Sequence, residues 1–97
     1  MTKEIRYFQS YLSSIKNLAN TTVENYTIDL KLLEKFLISK NISIVKATTN
    51  DIFDYLETLD ISRQTYNRKI TSIREFYRYL LSEKYEIPYL YSDFKKK

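Results

Sequence analysis

Not one of the 97 residues is glycine, and only Pro88 is proline. The chain therefore lacks the residue that most readily supplies left-handed turns and strand bulges, and nearly lacks the other strong breaker of regular structure. Leu, Ile, Lys, Glu and Arg are frequent instead, which is the vocabulary of helices. The expectation is an all-α fold. At this length it is one domain over residues 1–97, with a single modest core.

Apolar spacing divides that domain into four main helices. Ile5, Phe8, Leu12 and Ile15 keep helical spacing, with Tyr11 widening the same face, and predict a first helix over about residues 3 to 18. Thr21 followed by Glu24 has the form of a capping box, so a second helix is expected to start near Thr22. Val23, Tyr26, Leu30, Leu33 and Leu37 carry it to about Ser39, with Phe36 at the margin and Thr27, Lys31 and Lys35 on one polar flank. Ile42, Ile44 and Val45 resemble a strand, but no partner strand exists elsewhere. They read as a loop whose apolar residues plug the core.

A third, shorter helix over 50–59 is capped by Thr48 or Thr49, with Ile52, Leu56 and Leu59 inward and acidic residues at its positive end. Ser62 caps the fourth, which runs to about Lys84. Beyond it there is room for one turn around Pro88 before Lys95, Lys96 and Lys97, which read as the start of a linker.

The fourth helix carries two stripes. Tyr66, Ile70, Ile73, Tyr77 and Leu80 repeat at core spacing, while Arg63, Asn67, Thr71, Arg74 and Arg78 fall on an adjoining strip. Four of the five arginines lie in residues 61–81, and the planar fork of arginine suits phosphate better than lysine does. Gln64, Asn67 and Thr71 can also hydrogen-bond to phosphates or base edges. Glu75 is expected to project away from the strip, near Arg68 and Tyr79. Through residue 60 there are seven Lys and Arg against eight Asp and Glu, and from residue 61 nine against four. The positive field thus belongs to the last third, which suits an anionic partner but also an ordinary solvated face. Lys31 and Lys35 read as solvated when the second helix is taken alone.

Other function classes recede. Without cysteine there is no disulfide framework and no thiolate, and without histidine the commonest general base near neutral pH and the commonest metal ligand are missing. No cofactor is expected. The first turns hold charged residues rather than an apolar run, which implies a cytoplasmic chain with no membrane partner. Of the ten tyrosines, Tyr26, Tyr55, Tyr66 and Tyr77 fall on or beside inward faces, with hydroxyls expected to reach the surface. Tyr79, Tyr85, Tyr89 and Tyr91 cluster around the last helix and its exit, where they are candidates to dock another domain or subunit.

Two segments together resemble a known family. TVENYTIDLKLLEKFL from Thr22 to Leu37 and SRQTYNRKITSIREFYRYL from Ser62 to Leu80 are similar to the N-terminal core-binding, SAM-like domain of tyrosine recombinases, the phage integrase and Xer-type group. The resemblance covers nearly the whole chain. It implies a four-helix bundle forming half of a C-shaped clamp on double-stranded DNA, with the second and fourth helices facing the major groove. It also implies a separate domain, absent here, that cleaves DNA through a tyrosine, and further recombinase subunits in a synaptic tetramer of the full-length protein. The family's His-x-x-Arg signature has no counterpart, so the chain is expected to be non-catalytic and, alone, monomeric.

Carried over by position, the resemblance implies DNA-facing roles for Thr22, Thr65, Asn67, Arg68 and Arg74. Arg68 lies roughly 100° around the helix from the Arg74 strip at 3.6 residues per turn. Ala19, where serine is common, and Ile87-Pro88, where Asn-Pro is frequent, depart from the family pattern. The expected DNA-binding set is Thr22, Lys31, Arg63, Thr65, Asn67, Arg68, Thr71, Arg74 and Arg78. The alternatives are a helical protein-interaction module and a free-standing regulator of a recombinase.

Overall fold

A computed structural model describes residues 2–87 as four helices: α1 (Lys3–Ser14), α2 (Asn20–Ser39), α3 (Thr49–Glu57) and α4 (Arg63–Ser82). No strand occurs among the described residues, and the fold is all-α. Helix α2 is the hub, packing against α1, α3 and α4, while α1 also meets α4. Its Leu30, Leu33 and Leu37 are each 0% exposed. Burying such a side chain stabilises the fold by roughly 1.5–3 kcal/mol, and truncating one to alanine would cost about 2–5 kcal/mol.

The helix starts show why local sequence sets these boundaries. Thr48 caps α3 through a capping box: its hydroxyl accepts the Asp51 amide at 3.2 Å, and the Asp51 carboxylate accepts the Thr48 amide at 2.8 Å. Ser62 caps α4, accepting the Thr65 amide at 3.2 Å. Helix α2 departs from expectation. It begins at Asn20 with Ala19 as a cap that makes no side-chain bond, so Thr21 lies inside the first turn and the Thr21–Glu24 box does not form. Helix α1 ends at Ser14 instead of continuing to about residue 18, which leaves Ile15 73% exposed beyond the last turn.

Three helix exits turn through left-handed residues, Asn17, Asn41 and Lys84, with φ between 53° and 66°. After α2 the Ile42 amide reaches back to the Leu37 carbonyl and the Asn41 amide to Ile38, each at 2.9 Å. After α4 the Tyr85 amide reaches Leu80 and the Lys84 amide reaches Leu81, each at 3.0 Å. These paired bonds are Schellman stops that satisfy carbonyls the helix leaves open. The loop after α2 then plugs the core as expected, with Ile44 and Ala47 buried and Ile42 and Val45 partly so.

Three expectations about side chains reverse. The Tyr77 hydroxyl does not reach the surface; it is enclosed and donates to the Ile44 carbonyl at 2.6 Å, tying α4 to the plug. Tyr79 is not free for docking, because it is buried against Phe8 and Tyr11, with ring centroids 5.4 and 4.8 Å away. Tyr85 is half-buried and its hydroxyl donates to Glu4 at 3.3 Å. Thr27, expected on a polar flank, is buried and returns its hydroxyl to the Val23 carbonyl at 2.8 Å. Tyr89, Tyr91 and the final lysines lie outside the described residues.

Candidate nucleic-acid interface

Helix α4 turns its apolar stripe inward, with Ile70, Ile73, Tyr77 and Leu80 buried. That fixes where its polar residues go. Arg63, the first residue of α4, is exposed, as is Gln64. Thr65 is half-buried, and its hydroxyl accepts that of Ser62 at 3.1 Å. Asn67 and Thr71 are half-buried neighbours, the Thr71 hydroxyl donating to the Asn67 carbonyl at 3.1 Å. Arg74 is half-buried, and its Nε is enclosed without a hydrogen-bond partner. Arg63, Arg74 and Arg78 lie within roughly 60° of one another at 3.6 residues per turn.

Arg78 is exposed and pairs with Glu75 at 3.3 Å. Glu75 stands seven residues after Arg68, hence on its side of the helix as expected, and reaches across to Arg78 at the edge of the strip. An exposed pair of this kind is worth about 0–1 kcal/mol, too little to withhold Arg78 from a phosphate that offers charge-assisted bonds.

Arg68 takes a different direction. Its Nε donates to Asp29 Oδ2 at 3.2 Å and its Nη2 to Oδ1 at 2.8 Å, a fork-on-carboxylate pair that crosses from α4 to α2. Asp29 is enclosed, its side chain 0% exposed. Lys69 Nζ donates to Oδ1 at 3.2 Å and the Ser72 hydroxyl to Oδ2 at 2.7 Å, so four donors from one helix converge on one carboxylate of another. The Arg68 pKa is raised by its hydrogen bond to Asp29, with burial opposing and the Asp29 charge assisting. Removing one member of a buried ionic cluster typically costs about 3–5 kcal/mol, because the others stay buried without a partner.

Asp29, Lys69 and Ser72 were not among the expected site residues, although their spacing placed them. Asp29 is three residues after Tyr26 and four before Leu33, and Lys69 is three after Tyr66 and four before Ile73. Both therefore sit on inward stripes despite their charge.

The expected contributions of α2 separate. Thr22 is half-buried in its first turn and lies seven residues before Asp29, hence on the same side of the helix, toward α4. Lys31 is exposed, but two residues from Asp29 means roughly 160° around the axis. It thus points away from the α4 cations, although it was expected in the same DNA-binding set.

On another face, an open groove of about 550 Å³ is lined by Tyr7, Tyr11, Ile15, Tyr79 and Tyr85. Tyr7 is 54% exposed at this groove. No described helix is long and apolar enough to cross a membrane.

With four helices in this order and the α2–α4 ionic lock in place, comparison with known families becomes decisive. Residues 5–84 match the family described as phage integrase, N-terminal SAM-like domain. The chain belongs to that family. Its relatives include the tyrosine recombinase XerC of Oceanobacillus iheyensis, 38% identical over 82 residues that make up 80% of this chain and 27% of that protein. The XerC of Leptospira interrogans is 32% identical over 87 residues, 86% of this chain and 28% of the relative. The tyrosine recombinase XerD of Rickettsia conorii is 30% identical over 82 residues, 81% of this chain and 27% of the relative. This SAM-like domain thus spans little more than a quarter of the length of those recombinases. No solved structure matches it.

Proposed function

We propose that the chain is the DNA-binding, core-binding domain of a site-specific tyrosine recombinase, gripping double-stranded DNA at one recombination half-site. Residues 1–97 would form that single domain, joined through a linker to a separate catalytic domain, and would not cleave DNA alone. The observation that carries this reading is the exposed cationic strip of α4, on the helix whose other face anchors the core, in a chain whose relatives are tyrosine recombinases. Arg63, Arg68, Arg74 and Arg78 would supply phosphate contacts and most of the affinity. Asn67, Thr65, Thr71 and Gln64 would approach base edges, with Thr22 entering from α2. Lys31 stands apart from this surface and would contribute only to the surrounding field.

The full-length protein would work in the cytoplasm in a synaptic tetramer, while this domain alone would be monomeric and bind weakly for want of a tethered second domain. A second reading, a protein-docking module, is favoured by one observation, the groove with Tyr7 and Ile15 exposed at its rim. Backbone amide shifts recorded while duplex DNA is added separate the two. DNA binding should move signals from Arg63 to Arg78. An unresponsive α4, with no change up to millimolar duplex at low salt, would refute the DNA assignment.

A further inference from the structure

The Asp29 cluster is more elaborate than a staple between two helices requires. Lys69 and Ser72 already neutralise and bond the carboxylate from within, the Lys69 side chain being 6% exposed. Arg68 is the outermost partner, with its side chain 42% exposed. A guanidinium has five N–H donors, and Asp29 takes two of them, the Nε–H and one on Nη2. Three remain, and two of these, one on Nη1 and one on Nη2, share the end edge of the fork that the carboxylate leaves open. That edge is the one that meets two oxygens of a phosphate in parallel. Arg68, Lys69 and Asp29 together keep one net positive charge, so the cluster still attracts an anion.

We propose that Asp29 is a positioning residue, whose buried carboxylate fixes the Arg68 fork so that its outward donors engage one backbone phosphate of duplex DNA. The proposal rests on the DNA-binding function above and adds to it the residue that orients the contact. An arginine free to rotate must surrender its side-chain freedom on binding; one already held at both Nε and Nη2 has surrendered it during folding.

The sign of one substitution separates positioning from bulk charge. Asp29→Asn removes a negative charge beside the interface, so electrostatics alone predicts tighter binding, whereas loss of orientation predicts weaker binding. Arg68→Lys keeps the charge and loses the fork. The 97-residue chain and its variants are titrated into a labelled duplex, followed by fluorescence anisotropy at several salt concentrations, with thermal melts confirming the fold. The expected result is about a tenfold loss for Asp29→Asn, the order set by one charge-assisted bond, and a loss of several-fold for Arg68→Lys. Arg68→Ala should also lower the magnitude of the salt slope by about one unit.

Wild-type affinity matched or exceeded by a folded Asp29→Asn variant would overturn the positioning role while leaving DNA binding intact. If Asp29→Asn does not fold, Arg68→Lys decides alone, because its charge and exposure are preserved. A weaker Arg68→Ala with an unchanged salt slope would overturn the phosphate assignment. Absence of binding by the wild-type chain would instead refute the DNA-binding function itself.

Discussion

Replacing Tyr77 with phenylalanine probes the tie between α4 and the loop that closes the core. Tyr77 and Ile44 are 0% and 1% exposed, and the hydroxyl donates to the Ile44 carbonyl at 2.6 Å. Phenylalanine keeps the ring packing against Phe76, whose centroid is 5.2 Å away, but removes the donor. The Ile44 carbonyl is then deprived of that bond where water does not reach. A buried acceptor stripped of its partner costs about 1–3 kcal/mol, so about 2 kcal/mol is the central expectation. A domain of this size loses about 4–8 °C in Tm per kcal/mol, which predicts a drop of about 8–16 °C. Far-ultraviolet circular dichroism during heating measures it directly. DNA affinity below the melting range should not change, because the Tyr77 hydroxyl is enclosed against the Ile44 carbonyl and is not offered to a ligand. A drop under about 2 °C would show that the hydroxyl–carbonyl contact contributes almost nothing and that apolar packing alone holds the loop.

Arg74→Ala should weaken binding to all duplex sequences alike and reduce the magnitude of the salt slope by about one unit, as read from anisotropy titrations over a salt series. Thr48→Ala removes the hydroxyl half of the α3 capping box and should lower stability by about 0.5–2 kcal/mol, with hydrogen exchange accelerating in α3 before α4. Tyr55 has its pKa pushed up to about 12, first by burial and then by the Asp29 charge. Its folded pKa exceeds the ordinary value near 10, so its contribution to stability is complete below about pH 10 and fades as pH rises toward 12. Tm should therefore fall over that alkaline range and fall less steeply in Tyr55→Phe; part of the decline should persist, because Tyr26, Tyr79 and Tyr85 are also raised.

Helices with continuous apolar spacing could be located from sequence because burial selects residue type at fixed intervals. The Leu30, Leu33, Leu37 row and the Ile70, Ile73, Tyr77, Leu80 row are both enclosed as their spacing requires. Caps were legible where one hydroxyl stood alone before a helix, as at Ser62. They failed at Asn20, Thr21 and Thr22, where consecutive polar residues offer several starts and α2 begins at Asn20, with Ala19 as its cap. Tyr79 misled because Glu75, Ser82 and Glu83, three of its four neighbours at helical spacing, are polar, while the rings that cover it, Phe8 and Tyr11, come from the far end of the chain.

At the site, residue type outweighed position. Asp29 and Lys69 sit at core spacing, yet charge alone assigns them to water. Only the convergence of α2 and α4 reveals that they satisfy one another. The same convergence explains what occupies Arg68, which the helical projection already set about 100° from the strip.

The left-handed exits at Asn17, Asn41 and Lys84 bear on how this backbone can be redesigned. A residue with a Cβ in that conformation carries roughly 1–2 kcal/mol of steric penalty, least for asparagine, which offsets the advantage of a stiffer unfolded chain. Lys84, whose long side chain lacks the short amide that eases this conformation in asparagine, is the place where introducing the missing amino acid would relax the backbone most. A glycine-free sequence thus still contains a vacancy for one.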